Sequence, residues 1–78
     1  MKIDKALIKS GFDFEESFTP KGFVDDVIAV YSNDNEKIAV NLIDNIYAIV
    51  PISFDSQDVY ESLDEFRWFS LKDVLLLL

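Results

Sequence analysis

The chain has 78 residues, no cysteine, no histidine and a net charge of −8. Missing cysteine rules out disulfides and thiolate zinc sites and points to a reducing compartment. Missing histidine removes the commonest general base and metal ligand, which argues against an enzyme and against a bound cofactor or metal. Half the residues are apolar and eleven are aromatic, a composition that folds rather than staying disordered. At this length one domain spans residues 1–78, with a core near the lower limit of self-sufficiency.

The charge is unevenly placed. Residues 1–22 balance four lysines with four carboxylates, whereas residues 23–78 set Lys37, Arg67 and Lys72 against eleven carboxylates and carry the whole excess. Such a field repels nucleic-acid phosphates and attracts basic partners. It also serves solubility. The N-terminus lacks the apolar stretch of a signal peptide, and the run from Val74 to Leu78 is too short to span a bilayer. The expected location is the cytoplasm.

Taken in order, residues 3–10 predict a short helix: Ile3, Leu7 and Ile8 recur at helical spacing, Asp4 suits its start, and Gly11 stops it. Phe12, Phe14 and Glu16 alternate with Asp13, Glu15 and Ser17, a pattern open to an edge strand or an ordered loop. Thr19 to Gly22 reads as a turn.

Phe23 to Ile52 holds three apolar runs rich in Val, Ile and Tyr, separated at Ser32–Glu36 and Asp44–Asn45, the pattern of an antiparallel meander. With residues 12–18 it makes a three- or four-stranded sheet. Alternation gives one face with Val24, Asp26, Ile28, Val30, Ile38, Val40, Leu42, Ile46, Ala48, Val50 and Ile52, read as the apolar core side. The opposite face is mixed but still carries Val27, Tyr31, Ile43, Tyr47 and Ile49. The N-terminal segment, a second helix or another protein must cover it. Asp44-Asn45 fits a two-residue primed turn, and Asn33-Asp34-Asn35 a longer one.

Beyond Ile52, Asp55 and Asp58 form a capping-box-like pair. Val59, Leu63 and Phe66 then predict a helix over 56–66. Ser70 opens a last helix. Phe66 to Phe69 reads as a helix end or a short strand, with Trp68 in the core. The fold class is α+β: a short N-terminal helix, an antiparallel meander, and a C-terminal helical segment packed on it.

The residues that carry potential chemistry are carboxylates. Asp58, Glu61, Asp64 and Glu65 would share one face of the 56–66 helix. Like charges so spaced cost a few tenths of a kcal/mol per pair, which invites a functional reason. Asp25, Asp26, Asp34 and Glu36 form a second patch. Asp25 and Asp26 point to opposite sides of a strand, and the Ser32–Lys37 loop lacks the ligands and glycine of a calcium site. No Gly-rich phosphate loop is possible with only Gly11 and Gly22.

The segment Glu65-Phe-Arg-Trp-Phe-Ser-Leu-Lys-Asp-Val74 resembles the strand-to-helix segment near the C-terminus of Nudix hydrolases. The catalytic Nudix box is missing from the chain, so the resemblance implies a packing motif and no hydrolase activity. In size and charge the chain is also similar in character to phage anti-defence proteins that inhibit restriction or CRISPR nucleases, and to immunity proteins and antitoxins. That resemblance implies a non-enzymatic inhibitor whose carboxylates stand where phosphates sit on a basic, nucleic-acid-binding protein. The alternative is a structural homo-oligomer, a homodimer formed through Val27, Tyr31, Ile43, Tyr47 and Ile49.

Overall fold

The computed structural model describes residues 4–20 and 26–78. The order is helix α1 (Lys5–Lys9), strands β1 (Asp13–Phe18), β2 (Ile28–Ser32), β3 (Lys37–Asn41) and β4 (Ile46–Val50), helix α2 (Ser56–Glu61), a 3-10 helix (Leu63–Glu65) and helix α3 (Leu71–Leu77). The strands form one antiparallel sheet in the order β1-β2-β3-β4, so the expected α+β architecture holds and residues 12–18 contribute its fourth strand. The backbone of Phe69 then pairs with Tyr47 through N–H···O bonds of 2.8 and 2.7 Å, covering part of the outer edge of β4. The segment 66–69 is thus extended, and Ser70 caps α3 by accepting from the Asp73 amide.

The face assignment needs one correction. The 33–36 loop pairs Ser32 with Lys37, which puts Ile38 opposite Tyr31 and Val40 opposite Ala29. The large apolar residues of β3 therefore share a face with the two tyrosines, not with Ile28 and Val30, because residues paired directly across a sheet point the same way. Tyr31, Ile38, Val40 and Tyr47 pack with Leu7 of α1 and Val74 of α3. Ile28, Val30, Ala39 and Val50 pack on the opposite side with Val59 of α2, bordered by Leu63, Phe66 and Trp68. Helical structure therefore covers both faces. That explains why the strands carry near-continuous apolar runs: each face has a core of its own. Val59 and Val74 are fully buried, each stabilising its layer by about 1.5–3 kcal/mol.

β1 serves both cores through a bulge. Phe14 pairs with Tyr31 and Glu16 with Val30, so Glu15 is an extra residue. Unbroken alternation would put Phe12, Phe14 and Phe18 on one face. The added residue inverts the parity, sending Phe12 and Phe14 to the α1–α3 side and Phe18 to the α2 side. Phe14 meets Tyr31 edge-on at 5.5 Å, and Phe18 meets Tyr60 of α2 at 6.0 Å.

Asp4 ties the N-terminal helix to the sheet. It is the N-cap of α1, its Oδ1 accepting from the Leu7 amide at 3.1 Å. The Asp4 amide donates to the Tyr31 hydroxyl at 2.7 Å, and the Tyr47 hydroxyl donates to Asp4 Oδ2. Burial, reinforced by that bond and by the carboxylate's charge, pushes the Tyr47 phenol well above its ordinary value of 10.0.

Candidate functional site

The sheet separates the acidic residues singled out in the sequence. β2 runs from Asp26 at one end to the 33–36 loop at the other, so Asp26 and the pair Asp34 and Glu36 stand apart by a five-residue strand, ~16 Å of chain. They do not make one patch. Asp25, like Lys21 and Gly22 of the predicted turn, lies outside the described residues.

The predicted 56–66 helix is also divided. α2 ends at Glu61, Ser62 caps it, and Leu63–Glu65 continues as a tighter 3-10 turn. A carboxylate at the C-terminal end of a helix opposes the helix dipole, and α2 has no basic residue in its last turn to offset it. The four carboxylates expected on one helix are therefore divided between α2 (Asp58, Glu61) and the 3-10 helix (Asp64, Glu65). Asp58 is engaged within the helix start: Asp55 Oδ1 accepts from the Asp58 amide at 2.9 Å, and Asp58 Oδ2 accepts from the Asp55 amide at 3.1 Å. Glu61 accepts from Gln57 Nε2 at 3.0 Å. Asp64 and Glu65 are exposed on the 3-10 helix.

The structure brings a different set together. Ile28, Asn41 and Ile46 are cross-strand neighbours at the sheet end nearest the 42–45 turn. Together with Leu63 and Trp68 they line an open cleft of about 210 Å³, whose remaining wall includes Pro20. Three carboxylates stand around it: Asp26 before β2, Asp44 in the β3–β4 turn and Asp64 on the 3-10 helix. Asn41, almost fully buried, holds Asp44 in place, its Oδ1 accepting from the amides of Ile43 and Asp44 at 3.0 and 3.1 Å. Asn45 closes this turn with φ 55°, and its amide donates to the Asn41 carbonyl at 2.8 Å. The connection is a four-residue loop, not the two-residue primed turn predicted from Asp44-Asn45. Asn33 anchors the 33–36 loop in the same way, accepting from the amides of Asn35 and Glu36.

Asp44 was not among the residues singled out from the sequence, and only the turn chemistry of Asn41 to Asn45 marked its region. Asp26, Asp44 and Asp64 do not form a metal-ligating group, and no such group of three occurs among the described residues. Trp68 is half-buried and packs edge-on against Phe66 at 6.4 Å while lining the cleft, so it belongs to both core and surface.

The cationic side of the surface is sparse. Lys37 is buried, its ammonium donating to the Phe54 carbonyl and pairing with Glu15 Oε2 at 3.5 Å. From residue 26 onward, Arg67 and Lys72 are the exposed cations among the described residues. Arg67 sits over the Phe69 ring, 5.6 Å from its centre.

The mixed sheet face, for which the N-terminal segment, a second helix or another protein is the expected cover, is covered by α1 and α3. Tyr31 is fully buried and Tyr47 nearly so beneath α1 and α3, and Ile43 leaves the sheet for the turn, where it is exposed. No known protein family matches the chain, nor does any curated protein or solved structure. No helix among the described residues is long and apolar enough to cross a membrane.

Proposed function

We propose that the chain is a non-enzymatic, acidic protein-binding module that occupies a basic site on a partner, of the kind a nuclease or other nucleic-acid-binding protein uses to hold phosphates. The observation that carries this reading is the near-absence of free positive charge from residue 26 onward. Lys37 is taken into the core, so on the stretch from residue 26 onward exposed Glu61, Asp64, Glu65, Asp34 and Asp44 face Arg67 and Lys72 as its exposed cations, while Lys5 and Lys9 lie on the N-terminal helix. Carboxylates so distributed repel nucleic acid and steer a basic protein surface toward rapid, salt-sensitive encounter.

The finer reading is an inhibitor acting in the cytoplasm in the manner of phage anti-restriction or anti-CRISPR proteins, or of immunity proteins and antitoxins. Its support is the small, acidic, cysteine-free composition. The lack of histidine and cysteine supports a role without catalysis.

The test is affinity capture from a cell lysate at low salt and at roughly 0.5 M salt, where the Debye length falls to a few ångströms. A basic protein retained at low salt, released at high salt, and displaced from its own nucleic acid by the purified chain is the expected result. A captured protein that keeps its nucleic acid in the presence of the chain would refute occupation of that site.

A further inference from the structure

Resting on that reading, we infer that the cleft between the 42–45 turn and the 3-10 helix is the seat of one basic side chain, arginine or lysine, projecting from the partner protein. The cleft combines apolar wall residues, Ile46, Leu63 and Trp68, with three carboxylates from separate elements. At about 210 Å³ it has room for a single long side chain. Ile46 and Leu63, both half-buried, offer a surface for the methylene stem of such a residue, and Trp68 lines the same wall as an aromatic neighbour for its cationic head.

The charge around the opening is complementary. Asp26, Asp44 and Asp64 come from three separate elements and converge on one opening. The ion pair found among the described residues is Lys37–Glu15, which involves none of them. Three like charges line one cleft, and a cation seated in it is attracted by each of them. A neutral or anionic occupant finds no such gain.

Trp68 is the sole tryptophan of the chain, so its fluorescence reports on this cleft. The probe is a short peptide of alternating Arg and Gly, with a citrulline peptide of equal length as its neutral counterpart. Binding is followed at low salt by Trp68 emission and, independently, by calorimetry. The expected result is a saturable change in emission with the arginine peptide alone, weakened about tenfold in D26N/D44N/D64N but far less in D13N/E16Q/D73N, which removes the same charge elsewhere. D64N alone changes one exposed residue and should give about a threefold loss, which keeps the test valid if the triple variant folds poorly. Calorimetric binding without a change in Trp68 emission, and indifferent to these substitutions, would overturn the cleft as the seat while leaving the acidic module standing. Absence of binding by either method at low salt would overturn both.

Discussion

Glu15 of β1 and Lys37 of β3 form an ion pair, Oε2 to Nζ at 3.5 Å, although β2 lies between their strands. The bulge makes this possible by freeing Glu15 from the ladder, and Ser32 at the end of β2 donates to Glu15 Oε1 at 2.6 Å. Glu15 therefore links three strands. Replacing it with Gln should cost about 1 kcal/mol in urea unfolding, at the upper end for an ion pair with one partner in solvent. Replacing Lys37 with Ala should cost more, about 2–4 kcal/mol, since it also strips the Phe54 carbonyl of its donor and opens a gap in the core.

Deleting Glu15 outright tests its geometric role. Without the extra residue β1 reverts to simple alternation, and either Phe14 or Phe18 must leave its core. The expected loss is about 3 kcal/mol or more, well beyond that of the Gln substitution. A deletion no more harmful than Glu15→Gln would show that the bulge does not set the parity.

Stability should fall in alkali. The folded Tyr47 phenol is raised above its ordinary value of 10.0, so the folded state holds that proton more tightly than the unfolded chain. The associated stabilisation is complete below about pH 10 and is lost as pH climbs beyond it. Tyr47→Phe should cost about 1 kcal/mol at neutral pH by removing the bond to Asp4, and should flatten the alkaline limb of the stability curve. Circular dichroism during denaturation at several pH values measures both.

Asn41→Ala should destabilise the chain by about 1–2 kcal/mol, because the amides of Ile43 and Asp44 lose their shared acceptor. Asn41→Asp keeps that acceptor but adds a nearly buried negative charge beside Asp26, Asp44 and Asp64, and should not restore the lost stability at neutral pH.

Glu61→Lys should stabilise α2. It replaces a carboxylate at the C-terminal end of the helix with a cation, a gain of about 0.3–1 kcal/mol less the bond to Gln57. The same variant should weaken binding of a basic partner. A gain in melting temperature together with a loss of affinity would mark Glu61 as kept for recognition.

Much of the architecture was legible because it rests on local signals: Asp4 and Ser70 as caps, Asp55 with Asp58 at the start of α2, and Val/Ile/Tyr runs broken by Asn and Asp. What could not be read was parity. The face of Ile38 depends on how many residues the 33–36 loop contains, and that of Phe18 on a bulge that alternation alone cannot reveal. The acidic residues went astray for a related reason. Helical periodicity placed Glu61, Asp64 and Glu65 on one face, but the helix stops at Glu61, where the dipole works against it. The cleft joins Asp26, Asp44 and Asp64 from distant parts of the chain, through the pairing of Ile28, Asn41 and Ile46 and the packing of Leu63 on that face of the sheet.

The two margins of the sheet bear on behaviour at high concentration. The Phe69 backbone occupies one margin at Tyr47, near the start of β4, and the other, β1, is broken by its bulge and carries Asp13, Glu15 and Glu16. A second chain approaching to add a strand meets a partly covered rim or a kinked, negatively charged one, devices by which β-proteins resist aggregation. Despite its apolar strands, the chain carries features at both margins that work against fibril growth by strand addition.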